Sequence, residues 1–232
     1  MRFNESDRLF ILTGAGISAE SGLATFRASD GLWMNHRVED VATPEAWDRD
    51  PALVWRFYSQ RRRDAAAAQP NAAHRALAAL EERLPGRFYL CTQNVDDLHE
   101  RADSKHLHHM HGQLFESRCV QCNQPFTDTN LYEDASALPA CQHCGAAIRP
   151  HIVWFGEVPL DMDAIYAELD AATHLVVIGT SGNVYPAAGL VSIARRNRIK
   201  TIYIGPEPPS NAASFDEILL GTATEVVPTL GC

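Results

Sequence analysis

The sequence lacks the features of a membrane or exported protein. It contains no apolar run of the roughly 18–20 residues that a membrane-spanning helix needs, and no basic start followed by the apolar stretch of a signal peptide. It also lacks an excess of basic residues, since 20 Lys and Arg stand against 29 Asp and Glu, for a net charge of −9. These absences predict a cytoplasmic protein that binds neither a membrane nor, through a general basic surface, nucleic acid.

Repeats and long low-complexity tracts are also missing from the chain. The 232 residues, 46% of them hydrophobic, are enough for one large domain or for one domain with a small insert. The composition therefore predicts an ordinary globular protein with a substantial core.

A short apolar run near the N-terminus ends in closely spaced glycines. Leu9–Leu12 is followed by Thr13, and then Gly14, Gly16 and Ala19 fit the G-x-G-x-x-[GA] spacing of a dinucleotide-binding turn. Glycine lets the backbone approach a phosphate, and the amides at the start of the following helix face the anion. A tight turn without a ligand would leave the same pattern, so this segment alone does not decide between the two.

The sequence lacks the strand ending in Asp or Glu that is typical of NAD dehydrogenases. Such an enzyme has a second strand ending in Asp or Glu about 20 residues after the glycines. Residues 29–47 contain turn residues and Trp33 but no strand-like run. The sequence thus disfavours a dehydrogenase and predicts a long loop that closes over a ligand.

Apolar runs alternating with helical patterns predict an α/β fold with a parallel sheet. The predicted strands are Leu9–Leu12, Phe88–Cys91, Leu175–Ile178, Thr201–Ile204 and a last short one at Val226–Val227. The predicted helices are Ala52–Ala68 after Pro51, a helix capped by Asn71 that carries His74, Leu77, Leu80 and Leu84, then Asp161–Ala171 and Pro186–Arg196.

Four of the six cysteines form two pairs. Cys119 and Cys122 are separated by two residues, as are Cys141 and Cys144, with 18 residues between the pairs. Four thiolates suit tetrahedral zinc and leave no open coordination position, so the spacing predicts one structural zinc ion rather than redox pairs or free thiols. We expect a small zinc-binding module at residues 113–148. Cys91 is expected in the core, and Cys232 has no predicted role.

Further polar segments follow in a fixed order. They are Thr92-Gln93-Asn94-Val95-Asp96, His109-Met110-His111-Gly112, Phe155-Gly156-Glu157 and Gly179-Thr180-Ser181. Together with residues 14–27 and the cysteine pairs they resemble the sirtuins, the NAD-dependent protein lysine deacylases, over about residues 8–228. Tyr58-Ser59-Gln60-Arg61 further resembles the class III branch, which includes bacterial enzymes and prefers acidic acyl groups.

The resemblance implies a Rossmann-like NAD-binding domain, made of residues 1–112 and 149–232, with the zinc module inserted. It implies NAD as co-substrate in the cleft between them, acyl-lysine side chains of proteins as substrates, and a monomer. It implies deacetylation together with desuccinylation or demalonylation. The acyl oxygen attacks the ribose carbon that carries nicotinamide, which leaves, and O-acyl-ADP-ribose forms.

Site residues follow from the same resemblance. His111 is the expected general base, and Asn94 and Asp96 act with it at the nicotinamide ribose and carboxamide. Further NAD contacts are expected from Gly14, Ala15, Gly16, Ser18, Ala19, Glu20, Gly22, Phe26, Arg27, Trp33, Gln93, Gly179, Thr180, Ser181, Gly205, Glu207 and Ala223. Substrate contacts are expected from Tyr58, Arg61, Val153, Phe155, Gly156 and Glu157.

Residue by residue, plainer interpretations stay open. His106, His108 and His109 are expected to be surface or packing residues, and Trp154 is expected to pack. Arg61, Arg62 and Arg63 would also fit a single solvated basic face. Gly205-Pro206-Glu207 stands where the family usually has Asn, so Glu207 or the Gly205 amide would have to hold the adenosine ribose.

Two other functions would fit parts of the pattern. The same site would serve a mono-ADP-ribosyltransferase or an NAD hydrolase, although Tyr58, Arg61 and His111 favour deacylation. A non-enzymatic, zinc-bearing nucleic-acid-binding module is disfavoured by the acidic balance of the chain.

Overall fold

A computed structural model describes residues 2–25, 32–34, 36–133 and 138–231. Phe26, Arg27 and Cys232 lie outside the described residues. In chain order the strands are β1 (Leu9–Thr13), β2 (Leu32–Trp33), β3 (His36–Arg37), β4 (Phe88–Thr92), β5 (Leu107–His109), β6 (Gly112–Cys119), β7 (Pro125–Thr127), β8 (Ile148–Ile152), β9 (His174–Ile178), β10 (Lys200–Gly205) and β11 (Glu217–Leu220).

The α-helices of the described residues lie mainly between the strands. They are α1 (Gly16–Ala19), α2 (Val38–Val41), α3 (Pro44–Arg49), α4 (Pro51–Ala67), α5 (Ala72–Arg83), α6 (Leu98–Arg101), α7 (Met162–Asp170), α8 (Leu190–Arg196) and α9 (Ala223–Val226). Short 3-10 helices cover Ala187–Gly189, Ala212–Ser214 and Val227–Thr229. Among the residues that the structure describes, no helix is long and apolar enough to cross a membrane.

The main sheet has six parallel strands in the order β11-β10-β9-β1-β4-β5. The four longer strands predicted from the sequence are confirmed. The predicted strand at Val226–Val227 is wrong. Thr222 and Glu225 form a reciprocal capping box, which starts helix α9 at Ala223 and carries those two valines into helical structure.

Strand β1 occupies an interior position of this sheet, and the chain builds outward from it in both directions. β4 and β5 are added on one side, and β9, β10 and β11 on the other. The order of the strands therefore reverses between β1 and β9. In open α/β sheets the carboxyl ends of strands at such a reversal form the crevice that binds ligands.

Alternating side chains of the strands fill a separate core on each face of the sheet. Ile11 packs on one face with Leu77 of α5, whereas Phe10 and Val177 pack on the other with Leu190 of α8. Cys91 is fully buried in the second core, as predicted. Both faces are covered, which holds the carboxyl ends of the strands on a rigid support.

The long loop predicted for residues 29–47 is wrong for the part that the structure describes. Residues from position 32 onward form the β2–β3 hairpin and helices α2 and α3. Thr43 caps α3 through Ala46 N, and Asp50 caps α4 through Leu53 N. Each cap precedes a proline in the first helical turn, a local start signal that outweighs the lack of a longer periodic pattern.

A small antiparallel sheet in the order β7-β6-β8 carries the cysteine pairs. It begins at Gly112, and its strand β8 runs to Ile152, so it extends slightly beyond the predicted module at residues 113–148. Trp55 of α4 lies in the hydrophobic cluster beside Cys119 and Cys141 and donates from Nε1 to the carbonyl of Ile148. Helix α4 thus joins the small sheet to the main body.

Candidate active site

A cleft of ≈ 910 Å³ lies at the carboxyl ends of β1 and β9. Its size falls at the upper end of the range for ligand sites, roughly 300–1,000 Å³. The predicted residues that line it are Gly14, Ala15, Gly16, Ser18, Trp33, Tyr58, Arg61, Gln93, Asn94, Asp96, His111, Val153, Phe155, Gly156, Glu157, Gly179, Thr180, Ser181 and Glu207. The fold therefore brings together residues that are up to 193 positions apart in the chain (Gly14 to Glu207).

The floor of the cleft is made of backbone. Gly16 N donates to Gly179 O at 2.8 Å, and a Cβ atom added to Gly16 would lie 2.6 Å from Gly179 Cα. Gly179 has φ +64°, and a Cβ there would lie 2.7 Å from the carbonyl carbon of Gly16. Because the turns after β1 and β9 touch backbone to backbone, neither position has room for a side chain.

A buried polar cluster lies beside this floor. Asn94 Nδ2 donates to Ser18 Oγ at 3.1 Å, and Ser18 Oγ donates to Asp96 Oδ2 at 3.2 Å. Leu98 N donates to the other carboxylate oxygen of Asp96. Burial raises the pKa of Asp96, and the hydrogen bonds from Leu98 N and Ser18 oppose that shift. The cluster fixes the side chains of Asn94 and Asp96 at the end of β4.

His111 is set up as a neutral acceptor. Its Nδ1 lies 3.2 Å from the carbonyl oxygen of Gln93, which can only accept, so Nδ1 carries the proton and Nε2 keeps its lone pair. Burial lowers the pKa of His111, and the Gln93 carbonyl only partly offsets this. Near pH 7 the ring is therefore neutral, as a general base requires.

Gly112, the first residue of β6, allows the chain directly after His111 to lie close to β8. Its φ is +80°, and a Cβ atom would lie 2.9 Å from the carbonyl carbon of His151 and closer still to its oxygen. Val153 N donates to the carbonyl of His111 at 2.9 Å, so the two segments are joined at this point. Glycine is thus required directly after His111.

One wall of the cleft comes from helix α4. The guanidinium of Arg61 lies over the ring of Trp33, 4.0 Å from the centroid. Its Nη1 is shielded from solvent and has no hydrogen-bond partner among the described residues. Tyr58 is fully buried, and its hydroxyl oxygen accepts from Trp154 Nε1 at 3.0 Å, which leaves its own hydrogen available. This wall presents unsatisfied donors to the cleft.

Three consecutive arginines of α4 point to three different environments rather than forming one solvated face. Arg61 lines the cleft and Arg63 is exposed, paired with Glu133. Arg62 is buried and donates to the carbonyls of Leu114, Asn130 and Glu116, to Ser117 Oγ and to Asp128. Its role is to fasten α4 to the small sheet.

The segment after β8 forms the opposite wall. Val153, Phe155, Gly156 and Glu157 all line the cleft. Glu157 is not free, however: Arg149 holds both of its carboxylate oxygens at 2.8 and 2.9 Å, and Trp154 N donates to it. The pKa of Glu157 lies below its ordinary value, because these donors outweigh the effect of burial.

Some predicted residues do not line the cleft. They are Ala19, Glu20, Gly22, Gly205 and Ala223. The Glu20 carboxylate instead accepts from Thr224 N and Oγ1 at 3.0 and 2.6 Å, and Ala223 packs in the core. Trp154 packs in a hydrophobic cluster as predicted and also lines the cleft, as do residues without a predicted role, among them Tyr203 and residues 183–185 and 208–210. The loop residues among them follow no periodic pattern, so only their closeness to predicted motifs could have indicated them.

The four cysteines form a compact cluster. Their Sγ atoms all lie within 4.8 Å of one another, and Cys144 Sγ is 3.5 Å from Cys119 Sγ and 3.3 Å from Cys122 Sγ. A tetrahedral zinc with Zn–S bonds of about 2.3 Å places its sulfurs about 3.8 Å apart, so the cluster fits one zinc ion. The backbone amides of Gln121 and Cys122 donate to Cys119 Sγ and favour its thiolate.

Comparisons with known proteins agree with this geometry. The Sir2 family model matches residues 14–186. An NAD-dependent protein deacylase of Caulobacter vibrioides is 53% identical over 95% of this chain and 94% of its own length. One from Escherichia coli K12 is 52% identical over 97% of this chain and 81% of its own.

Solved structures give the same result. A mutant Sir2 homologue in complex with ADP-ribose has a TM-score of 0.90 and 42% identity, over 97% of this chain and 90% of that one. A Sir2 homologue–NAD complex has a TM-score of 0.88 and 42% identity, over 97% and 88%. A Sir2–p53 peptide–NAD⁺ complex has a TM-score of 0.80 and 32% identity, over 95% and 90%.

Proposed function

Because this chain belongs to the Sir2 family, we propose that its cleft removes acyl groups from lysine side chains of proteins, including acyl groups that end in a carboxylate. The chain is an NAD-dependent protein deacylase, with NAD as co-substrate and proteins as substrates. The four-cysteine cluster holds one zinc ion, which has a structural role because four thiolates leave no position for water.

The backbone floor of the cleft and the residues that directly follow β4 would hold NAD. The glycine turns after β1 and β9 let a diphosphate approach the backbone, and Thr180 and Ser181 add hydroxyl groups there. The Gln93 side-chain nitrogen is buried and has no partner among the described residues, so it is available to a ligand at the same edge as Asn94 and Asp96. Phe26 and Arg27 keep their predicted role at the ribose and diphosphate.

His111 would supply the base. With its proton fixed on Nδ1 by the Gln93 carbonyl, Nε2 accepts a proton from a ribose hydroxyl. Asn94 and Asp96 orient the ribose and the carboxamide, and Val153–Gly156 receives the substrate backbone as an added strand. The overall reaction consumes the acyl-lysine, NAD and one water molecule, and it yields the free lysine, nicotinamide and O-acyl-ADP-ribose. We further propose that the chain acts as a monomer, and the net charge of −9 supports a site without nucleic acid.

The unpartnered, buried Nη1 of Arg61 is the observation that carries the acyl preference. A buried guanidinium nitrogen without a hydrogen-bond partner is unfavourable, and a carboxylate would satisfy it with a charge-assisted bond. The hydroxyl of Tyr58 can donate to the same carboxylate, because the two residues lie on one face of α4. Succinyl and malonyl groups carry such a carboxylate and acetyl does not.

The test compares acetyl-, malonyl- and succinyl-lysine peptides of one sequence, with NAD, and identifies the products by mass spectrometry. Arg61→Met should raise the KM of the succinyl peptide about tenfold or more, as expected for a charged hydrogen bond worth about 1.5–3 kcal/mol. The acetyl reaction should change little. Arg63→Met is the matched control, since it makes the same change on the exposed side of the same helix.

Three outcomes would contradict the proposal. Equal losses for acetyl and succinyl peptides would show that Arg61 is only structural. A parent enzyme without succinyl activity would remove the carboxylate preference. Release of nicotinamide without O-acyl-ADP-ribose would indicate NAD hydrolysis or ADP-ribosyl transfer instead of deacylation.

A further inference from the structure

The sequence predicts that His109 is a surface or packing residue, but the structure buries its ring and pairs it with the partly exposed Glu100. The His109 side chain is 7% exposed, and it does not line the cleft. Nδ1 lies 2.9 Å from the carbonyl oxygen of Asn94, and Nε2 lies 2.6 Å from Glu100 Oε1. Both partners are acceptors, so both bonds form only if both ring nitrogens carry protons.

The surroundings of His109 and His111 favour different charges, although the two residues are only two positions apart. His111 has one acceptor, the Gln93 carbonyl, which favours the neutral ring, whereas the two acceptors around His109 favour its imidazolium form. Burial opposes this charge, but the hydrogen bond and the negative charge of Glu100 raise the pKa of His109 above its ordinary value. The other titratable groups facing it are Asp96, on the loop, and His99, on α6.

The two rings hold consecutive carbonyls of one loop. His109 is the last residue of β5 and His111 lies in the turn before β6, and their rings reach the neighbouring carbonyls Asn94 O and Gln93 O. The loop they hold carries the Gln93 amide, Asn94 and Asp96. Met110 N donates to Thr92 O, so a third hydrogen bond joins residues 109–111 to the end of β4 and the loop that follows it.

We propose that His109 is a positioning residue for deacylation: its Nδ1–H group holds the carbonyl of Asn94, and the bond from Nε2 to Glu100 orients the ring for that contact. The loop that presents Gln93, Asn94 and Asp96 to NAD is thereby fixed. This rests on the proposed role of that loop in NAD binding. His109 touches neither co-substrate nor peptide from its buried position, and it acts through the geometry of Asn94.

Two substitutions separate this role from simple packing. In His109→Asn the side-chain amide nitrogen takes the place of Nδ1 and can still donate to Asn94 O. In His109→Gln it takes the place of Nε2 and can still reach Glu100, but not Asn94 O. His108→Asn is the matched control, since His108 lies next along β5 and contacts Leu160 O instead.

Steady-state kinetics with NAD and an acetyl-lysine peptide, at a temperature where every variant is folded by circular dichroism, give the readout. His109→Gln should lower kcat/KM for NAD at least about tenfold, because small misplacements of a catalytic loop cost up to about 10²-fold. His109→Asn should remain within about threefold of the parent, and the peptide KM should be unchanged in both. His108→Asn should behave like the parent.

Equal losses in the two His109 variants, or greater activity in His109→Gln than in His109→Asn, would overturn the inference. Equal losses would mean packing, and the reversed order would mean that only the pair with Glu100 matters. Asn94→Ala, measured in the same series, tests the underlying assignment separately. If it leaves kcat/KM for NAD unchanged, the loop does not bind NAD, whatever the His109 variants do.

Discussion

Replacing Gly112 by alanine should damage both stability and activity, and a second glycine separates the two causes. Gly112 has φ +80° and Gly86 has φ +70°, so alanine at either position takes the left-handed conformation, at a cost of about 1–2 kcal/mol. Apart from the two chain neighbours of Gly86, no heavy atom of the described residues lies within 4 Å of a Cβ placed there. Gly86→Ala therefore measures the conformational cost alone.

Gly112→Ala adds a steric conflict with backbone. The new Cβ would lie 2.9 Å from the His151 carbonyl carbon and 3.1 Å from Ile152 Cα, neither of which is the end of a flexible side chain. Strand β8 has to move away from β6, which by analogy with an overpacked core adds about 1–3 kcal/mol. The total loss in the free energy of unfolding should then be about 2–5 kcal/mol.

The same movement displaces the site, because Val153 N donates to the carbonyl of His111 across this contact. A shift of about 1 Å in His111 and in the segment Val153–Gly156 should lower kcat/KM about 10²-fold. Urea unfolding and deacylation kinetics of both variants provide the measurement. If Gly112→Ala unfolds like Gly86→Ala and keeps full activity, the close approach of β6 and β8 does not position His111.

The base, the metal and the buried histidines each lead to a further prediction. His111→Ala should lower deacylation at least about 10²-fold while NAD binding, measured by calorimetry, persists; near-normal deacylation would refute the assignment. Native mass spectrometry should find one zinc ion per chain, and its removal should lower the thermal midpoint; an unchanged midpoint and full activity without metal would argue against the structural role. Burial lowers the pKa of His74 to about 4 from 6.5, so between these values the unfolded chain binds more protons. The free energy of unfolding should therefore fall as pH drops from about 6.5 to 4, by on the order of 3 kcal/mol, and a flat unfolding profile in that window would contradict it.

Strands buried on both faces could be predicted from the sequence because they are continuous apolar runs, as in Leu9–Thr13 and His174–Ile178. Strand β11 was missed because it lies at the edge of the sheet and its residues are only partly buried. The valines at 226 and 227 suggested a strand that does not exist. Two apolar residues are too few to show a strand or helix period, and the capping box before them starts a helix instead.

The spacing of residues within short segments indicated much of the candidate site. It could not indicate contacts between residues that are far apart in the sequence. Helical spacing placed Tyr58 and Arg61 on one face of α4. It could not show that Arg62 would donate hydrogen bonds to the small sheet, as it does to the carbonyl of Leu114. The pattern His-x-His gave no sign that His109 would meet Glu100, since that contact depends on how α6 packs against β5. Tertiary packing, rather than local propensity, decided these cases.

The two sides of the cleft differ in how far they can evolve. At Gly16 and Gly179 the floor is backbone in contact with backbone, so substitution there is blocked by geometry before any ligand is considered. The wall at Tyr58, Arg61 and Trp33 is built of side chains, which can be exchanged while helix α4 stays anchored through Arg62. Diversification, natural or engineered, is thus open at this side-chain wall and closed at the glycine floor.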